Sequence, residues 1–441
     1  MTRFFGTDGI RGEYNGTFLN DAFACKIGQA VGSYLLEKHG ELGTILLAQD
    51  TRSSGVGLLK SCAHGIQSKG ATCYTAGIIP TPALAFGVKH LGAQLGIMVT
   101  ASHNPHTDNG IKFFLSDGTK LSPQDEEMIE DLLIQHSKDY ELPKRELSQV
   151  KLTEAYVEKI IAAFPPLFLK GLKVGIDYAN GATIYTSSQV FKALGAKVIE
   201  LNHGNGLINQ GCGSEYPQSL QNEVLGKKLD LGIAHDGDGD RMVLVDHQGT
   251  LIDGDQILGL LAIHAKSANK LRGGSLVTTV HSNSGLDTSL KLHGISTHRS
   301  SVGDRNVFRM MDETGCNFGG ESSGHIIFND YLPTGDGLYS ALMVLEASIS
   351  GSKQIAELAQ LIELWPCLCR SFEVKSKPPL NRIKTLSEVV DSEKKLLGKD
   401  GRILLRYSGT EPKIRLLVEA RSENLIQPSF DRIAQAIQIA L

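Results

Sequence analysis

Residues 231–241 read Leu231-Gly-Ile-Ala-His235-Asp236-Gly-Asp238-Gly-Asp240-Arg241. A short apolar run stops abruptly in a loop of acids separated by glycines. The apolar part has the character of a strand, and the loop stands at its carboxyl end, where open α/β sheets collect their ligands. Carboxylates at alternating positions converge only if the backbone curls tightly, a curl that glycine allows at little steric cost. Three adjacent acids repel one another unless a cation sits among them, and an all-oxygen ligand set suits magnesium. A calcium loop of EF-hand type would need Gly at the sixth position and Glu at the twelfth from Asp236. Those positions hold Arg241 and His247, so that alternative fails twice.

Working outward, the same order of elements occurs three times. An apolar stretch runs into a polar turn at Thr44–Asp50 (then Thr-Arg-Ser-Ser-Gly55), at Lys173–Asp177 (then Tyr-Ala-Asn-Gly-Ala) and at Leu276–Val280 (then His-Ser-Asn-Ser-Gly285). Each turn is followed by a stretch of helical character and a second β-like run, at Ala71–Ala76, Ala196–Leu201 and Ile295–His298. This is the grammar of a βαβ unit. Each unit then reaches a third apolar segment ending in a glycine-bearing polar loop: Thr100-Ala-Ser-His-Asn-Pro105, His235–Arg241 and Gly319-Gly-Glu-Ser-Ser-Gly-His325. After the first two loops the sequence predicts hairpins, Lys112–Leu115 turning at Asp117-Gly118 and Met242–Val245 turning near Gln248-Gly249. The expected fold is α/β: three similar mixed α/β domains around a central cleft, over 1–150, 151–250 and 251–365. A smaller α+β domain over 366–441 follows. Its strand candidates are Ser371–Val374, Arg402–Leu405 and Ile414–Glu419, and Ser429–Leu441 reads as a closing helix.

At 441 residues the chain exceeds what one hydrophobic core supports. The 44 Lys and Arg against 48 Asp and Glu give a net charge of -4, which argues against a nucleic-acid binder but not against a local phosphate site. No apolar run reaches the length of a membrane helix, and the charged amino-terminal stretch does not read as a secretory signal. Seven cysteines without CxxC pairs favour reduced thiols in a cytoplasm. Cys367 and Cys369 read as two residues on one strand face rather than as metal ligands.

The loops supply the remaining chemistry. Ser102 alone reads as a turn cap. Beside a three-carboxylate metal site, a phosphorylated Ser102 would give the metal a fourth oxygen and hold a phosphoryl group ready for transfer. Transfer to a hydroxyl needs a base and the reverse step an acid; Lys112 and His325 are the candidates, although each by itself reads as an ordinary lysine or loop histidine. Arg406-Tyr-Ser-Gly-Thr410, with Lys413 and Arg415 nearby, offers converging donors for a phosphate, without the pattern of a nucleotide P-loop. Gly6-Thr-Asp-Gly-Ile-Arg-Gly12 is a second such loop and could carry Arg11 to the reacting group.

Taken together, Phe5–Gly12, Thr100–Pro105, Asp236–Arg241, Gly319–His325 and Arg406–Pro412 resemble, in order and nearly end to end, the α-D-phosphohexomutase superfamily, most closely its bacterial phosphoglucosamine mutase branch. The resemblance implies that Ser102 is a phosphoserine completing a site for one Mg2+ per chain with Asp236, Asp238 and Asp240. It gives acid/base roles to Lys112 and His325 and phosphoryl-steadying roles to Arg11 and Arg241. Glu321 and Ser323 fall on the sugar-contacting loop, and Arg406, Ser408, Gly409 and Thr410 on the loop that grips the non-reacting phosphate, with Arg415 beside it. The implied reaction interconverts glucosamine 6-phosphate and glucosamine 1-phosphate through a sugar 1,6-bisphosphate and supplies UDP-N-acetylglucosamine synthesis. The partner is thus a phosphorylated hexosamine, without nucleic acid or membrane, acted on by a monomer or homodimer. Ser322 stands where the glucosamine branch has Gln and phosphomannomutases have Met. Another mutase of the same chemistry, a phosphomannomutase or phosphoglucomutase, is the first rival reading. A non-catalytic sugar-phosphate-binding protein is the second, and it should have lost the serine or an acid; all are in place.

Overall fold

The computed structural model describes residues 4–6, 8–135, 147–408 and 412–441. Three of its sheets share one internal order. In the first, β1 (Ile10–Glu13), β2 (Thr44–Gln49), β3 (Thr72–Ile78), β4 (Leu95–Val99), β5 (Asp108–Leu115) and β6 (Ser148–Gln149) are arranged β1-β5-β4-β2-β3-β6. In the second, β7 (Lys173–Asp177), β8 (Lys197–Leu201), β9 (Leu231–His235), β10 (Met242–Asp246) and β11 (Leu251–Ile252) run β11-β10-β9-β7-β8. In the third, β12 (Ser275–Thr279), β13 (Ser296–Ser300), β14 (Phe318–Gly320) and β15 (Ile326–Phe328) run β13-β12-β14-β15. Each sheet is built on three parallel strands, in sequence order second, first, third, with an antiparallel strand added beside the third; in the first sheet the short β6 extends the parallel set beyond β3. The parallel strands β2–β4, β7–β9 and β12–β14 fall within a residue or two of the apolar stretches read from the sequence, whereas β5 begins at Asp108 rather than Lys112, and β1, β6 and β15 have no such reading. The helices that follow the first strands are Gly55–Ser68, Ser187–Ala193 and Ser284–Leu292.

This order places the loops at 100–107, 236–241 and 321–325 at one equivalent position, between the last parallel strand and its antiparallel neighbour. The Met242–Val245 hairpin forms, with β10 pairing β11. The first predicted hairpin differs. β5 takes β4 and β1 as its antiparallel partners, and beyond the Asp117-Gly118 turn only a single bridge, Phe114 to Lys120, closes back. The amino-terminal strand β1 takes the open edge of β5 along Asp108–Ile111, so a return strand is confined to the remaining Lys112–Leu115 half.

Alternation along the strands explains how the units adhere. Ile45 and Leu47, Leu95, Ile97 and Val99, and Ile111 and Phe113 enter a core private to the first unit, under helices Asp21–His39, Gly55–Ser68 and Pro123–Gln135. Leu46, Ala48, Met98 and Phe114 point to the other face and join a core continuous with β7, β9, β10 and β12. Buried on both faces, these strands read as unbroken apolar runs. The carboxyl-terminal unit is built separately: β16 (Cys367–Glu373), β17 (Gly401–Tyr407) and β18 (Lys413–Ala420) form an antiparallel sheet in the order β16-β18-β17. Ile414, Leu416 and Val418 pack with Phe430 and Ile433 of helix Ile426–Ala440 into its own core. The fold is thus three mixed α/β units and a smaller α+β unit. No helix among the described residues is long and apolar enough to cross a membrane.

Candidate active site

The three equivalent loops meet. Ser102, at the turn between β4 and β5, donates its hydroxyl to Asp236 Oδ2 at 2.6 Å. Gly237 lies against the same turn, and a Cβ there would stand 2.6 Å from the Ser102 carbonyl oxygen. Gly324 closes the third side; a Cβ on it would stand 1.9 Å from the carbonyl oxygen of Met242. The glycines of the second and third loops therefore let the backbones touch, in addition to allowing the curl.

Asp236, Asp238 and Asp240 are buried, with ligand oxygens within 4.8 Å of one another. Burial, then the charges of Asp240 and Asp238, push the Asp236 carboxyl well above the usual range. Asp238 Oδ1 and Asp240 Oδ1 are buried without a hydrogen-bond partner. Converging carboxylates with open oxygens and an all-oxygen donor set fit a hard divalent cation. Among the described residues this is the cluster of acidic, histidine or cysteine side chains arranged to hold a metal. Cys367 and Cys369 sit exposed along β16, outside it.

Lys112 is only 1% exposed because it lies mid-strand in β5, opposite Met98. Its ammonium contacts Asp238 at 2.7 Å, Asp240 at 2.8 Å and Asp8 at 3.1 Å. Burial pushes its pKa down, but Asp238, Asp240 and Asp8 outweigh that and hold it well above the lysine range. His325 stands on the far side of Asp240, with Nδ1 3.6 Å from Oδ1. Burial opposes its charge, yet Asp240 and Asp304 raise its pKa. The Gly335 N–H donates to Nε2 at 3.1 Å, so the neutral ring carries its proton on Nδ1, facing Asp240.

Arg11 pairs with Asp8 at 2.5 Å, and the backbone N–H of Arg241 donates to Asp236 Oδ1 at 3.2 Å. Glu321 Oε1 accepts from Gly303 N at 3.0 Å, and Ser323 is exposed on the same loop. Arg241 thus stands at the Asp236 beside Ser102, Arg11 at the Asp8 that Lys112 contacts, and Glu321 beside the turn that carries Asp304. Arg406 enters from β17 and donates through Nε to His281 Nε2 at 2.8 Å. His281 follows β12, whose carboxyl end shares a sheet edge with β14 and the 321–325 loop. Arg415 is the cross-strand partner of Arg406 and therefore shares its face. Ser408 is buried beside them, while Gly409 and Thr410 lie outside the described residues.

Sequence reasoning passed over Asp8, Thr81, Lys120 and Asp304. Lys120 bridges Asp8 and Asp304, and Thr81 donates to Asp238 Oδ2. Burial raises the Asp8 pKa, but Lys112, Lys120 and Arg11 together hold it well below the usual range. Asp8 was visible inside Gly6–Gly12; Asp304, directly after Gly303 beyond β13, had no motif of its own.

Matches to known families follow the same division. Residues 2–139, 154–249, 253–365 and 372–436 match the models for phosphoglucomutase/phosphomannomutase α/β/α domains I, II and III and the C-terminal domain. A phosphoglucosamine mutase of Desulforamulus reducens is 40% identical over 443 residues, covering 99% of each chain, and one of Nautilia profundicola is 42% identical, covering 96% of each. Among solved structures, a phosphoglucomutase/phosphomannomutase family protein of Burkholderia thailandensis superposes with a TM-score of 0.82 at 25% identity, covering 98% of this chain and 97% of its own. The N-acetylphosphoglucosamine mutase of Aspergillus fumigatus, solved with GlcNAc-6P and magnesium, shares the fold with a TM-score of 0.68 at 18% identity, covering 100% of this chain and 96% of its own. With matches over all four units, the chain belongs to the phosphoglucomutase/phosphomannomutase family, within the α-D-phosphohexomutases.

Proposed function

We propose that this protein is a phosphoglucosamine mutase that interconverts glucosamine 6-phosphate and glucosamine 1-phosphate, feeding UDP-N-acetylglucosamine synthesis. The reading is carried by one observation above the rest: Ser102 Oγ lies 2.6 Å from a carboxylate of a buried aspartate triad. Full-length relatives at about 40% identity that bear this name supply the sugar. The acting units are assigned to 1–150, 151–250, 251–365 and 366–441.

In this reading Asp236, Asp238, Asp240 and the Ser102 oxygen hold Mg2+, which supplies charge neutralisation at the transferring phosphoryl. Phosphorylated Ser102 donates its group to the free sugar hydroxyl, and the resulting sugar 1,6-bisphosphate turns over before its other phosphate, the one the substrate brought, returns to Ser102. Lys112 and His325 flank Asp240 and move the hydroxyl protons; Lys112 enters as an ammonium and is therefore poised first as an acid. Arg11 and Arg241 steady the phosphoryl group, and Glu321 and Ser323 contact the sugar. Arg406, Ser408, Gly409 and Thr410, with Arg415, hold the other phosphate in both orientations. Enclosure by four units keeps water from the phosphoserine.

The test is a panel of glucosamine, glucose and mannose phosphates, run with Mg2+ and a trace of sugar bisphosphate. Glucosamine phosphate should turn over best, and Ser102→Ala should lose turnover while still binding substrate. A preference for mannose 1-phosphate would sink the sugar assignment, and near-normal activity of Ser102→Ala would sink the mechanism.

A further inference from the structure

The side chain of Arg52 is fully buried in the turn after β2. Its Nε meets Asp50 at 3.0 Å, which offsets its charge. Its remaining nitrogens go elsewhere. One terminal nitrogen donates to the carbonyls of Pro105 and, at 2.8 Å, Asp108; the other donates to Ser102 at 3.0 Å and Asn104 at 2.9 Å. A single guanidinium thus gathers four backbone carbonyls of the loop that carries the nucleophile. Only arginine presents donors in a fixed planar fork able to do this.

A second donor reaches the same loop from the second unit. Asn209 Nδ2 donates to Ser102 O at 2.7 Å and to Asn104 O at 2.9 Å. Two of the four carbonyls are therefore held from both sides. What they hold is unusual: Ser102 has φ 54°, the left-handed region that a non-glycine residue occupies under constraint. Its hydroxyl direction depends on that backbone setting, because the Cα–Cβ bond is fixed by it.

Resting on the phosphoserine reading above, we infer that Arg52 and Asn209 are positioning residues for phosphoryl transfer, locking the Ser102 carbonyl from two units so that Oγ stays aimed at the aspartates. Their side-chain donors are spent on these carbonyls and on Asp50, so their loss should misplace the reacting oxygen without loosening substrate. A misplacement near 1 Å costs about 10²-fold in rate, and a displaced phosphoserine is also more open to water.

The test compares the full-length protein with Arg52→Lys, Asn209→Gly and the double variant. Lysine keeps the charge opposite Asp50 but cannot reach four carbonyls. Glycine suits the φ of 59° at position 209. Intact mass gives Ser102 phosphorylation, kinetics give kcat and KM for the sugar phosphate, and free phosphate per isomerised sugar gives the leak. Each single variant should lose about 10²-fold in kcat with KM within threefold of wild type and a raised leak. The double variant should be less impaired than the product of the singles, because both act on the same carbonyls. A folded Asn209→Gly with kcat within threefold of wild type, or with KM rising in step, overturns the inference even if Arg52→Lys fails to fold. Wild-type protein without phosphoserine, together with an active Ser102→Ala, would instead overturn the underlying mechanism.

Discussion

Lys112 compresses the electrostatics of the site into one side chain. An ammonium in a strand buried on both faces is tolerated only with close counter-charges, and Asp8, Asp238 and Asp240 provide them. The same contact makes Lys112 a competitor for the cation that the aspartates would bind. Lys112→Met should therefore do two opposed things. Without metal it leaves buried carboxylates uncompensated and should destabilise the fold by about 3–5 kcal/mol. With Mg2+ it should recover more than wild type does, since ligand stabilisation grows as affinity tightens. Calorimetric melting with and without Mg2+ checks this, and an equal Mg2+-induced rise in Tm for both proteins would contradict it; turnover should be lost either way. At this scale the sequence was readable where a residue sat in a dense motif, as with Ser102 and Asp236–Asp240. Lys112 emerged as a candidate from its spacing, but the reason for its burial lies in partners 104 to 128 positions away. Arg52 was quoted in a turn and read only for its place in the repeat, because the carbonyls it gathers carry no side-chain signature.

At the scale of elements, the repeated strand–loop pattern was legible because both-face burial makes parallel strands continuous apolar runs, and because each ends in a chemically dense loop. The short strand β1 was not, since four residues among glycines carry little periodicity, and its pairing with β5 is what cut short the predicted hairpin. The joints between units depend on long-range partners as well. Asp336 caps helix Gly337–Gly351, accepting from Tyr339 N at 2.9 Å, and also accepts from Tyr156 Oη at 2.8 Å, on helix Thr153–Ile161. Burial raises its pKa to about 6 despite these donors, against 3.8 for an ordinary aspartate. The folded state binds this proton more tightly than the unfolded chain. The stability it contributes is full below about pH 3.8 and is lost as pH rises through about 6, amounting to about 3 kcal/mol for a shift of about two units. Asp336→Asn lacks that proton, so its stability relative to wild type should improve steadily between pH 4 and pH 7. A stability difference that stays flat across that range would contradict the assignment.

The whole molecule is divided by how its cores connect. The first three units share one continuous apolar core, whereas the carboxyl-terminal unit has its own and meets the third unit largely through polar groups. Arg402 donates to the carbonyls of Val280 at 3.0 Å and Ser282 at 2.8 Å. Glu419, 1% exposed, accepts from Arg402 at 3.0 Å and from Ser284 N at 2.7 Å. Asn283 holds Trp365, at the junction, through both its N–H and its carbonyl. All these contacts fall on the loop after β12, beside the His281 that receives Arg406. A joint made of directional bonds, with little shared apolar area, can be weakened without unfolding either side. It also sets where the Arg406 and Arg415 face of β17 and β18 stands relative to Ser102. Arg402→Ala removes two interfacial bonds and strips a buried carboxylate of its cation, a loss of about 1–3 kcal/mol at the joint. The expected outcome is a KM for sugar phosphate raised about 10-fold, with kcat changed much less. The main melting transition should stay in place, and a larger radius of gyration should appear in solution scattering. An unchanged KM and radius would mean that the carboxyl-terminal unit is positioned by something other than this polar joint.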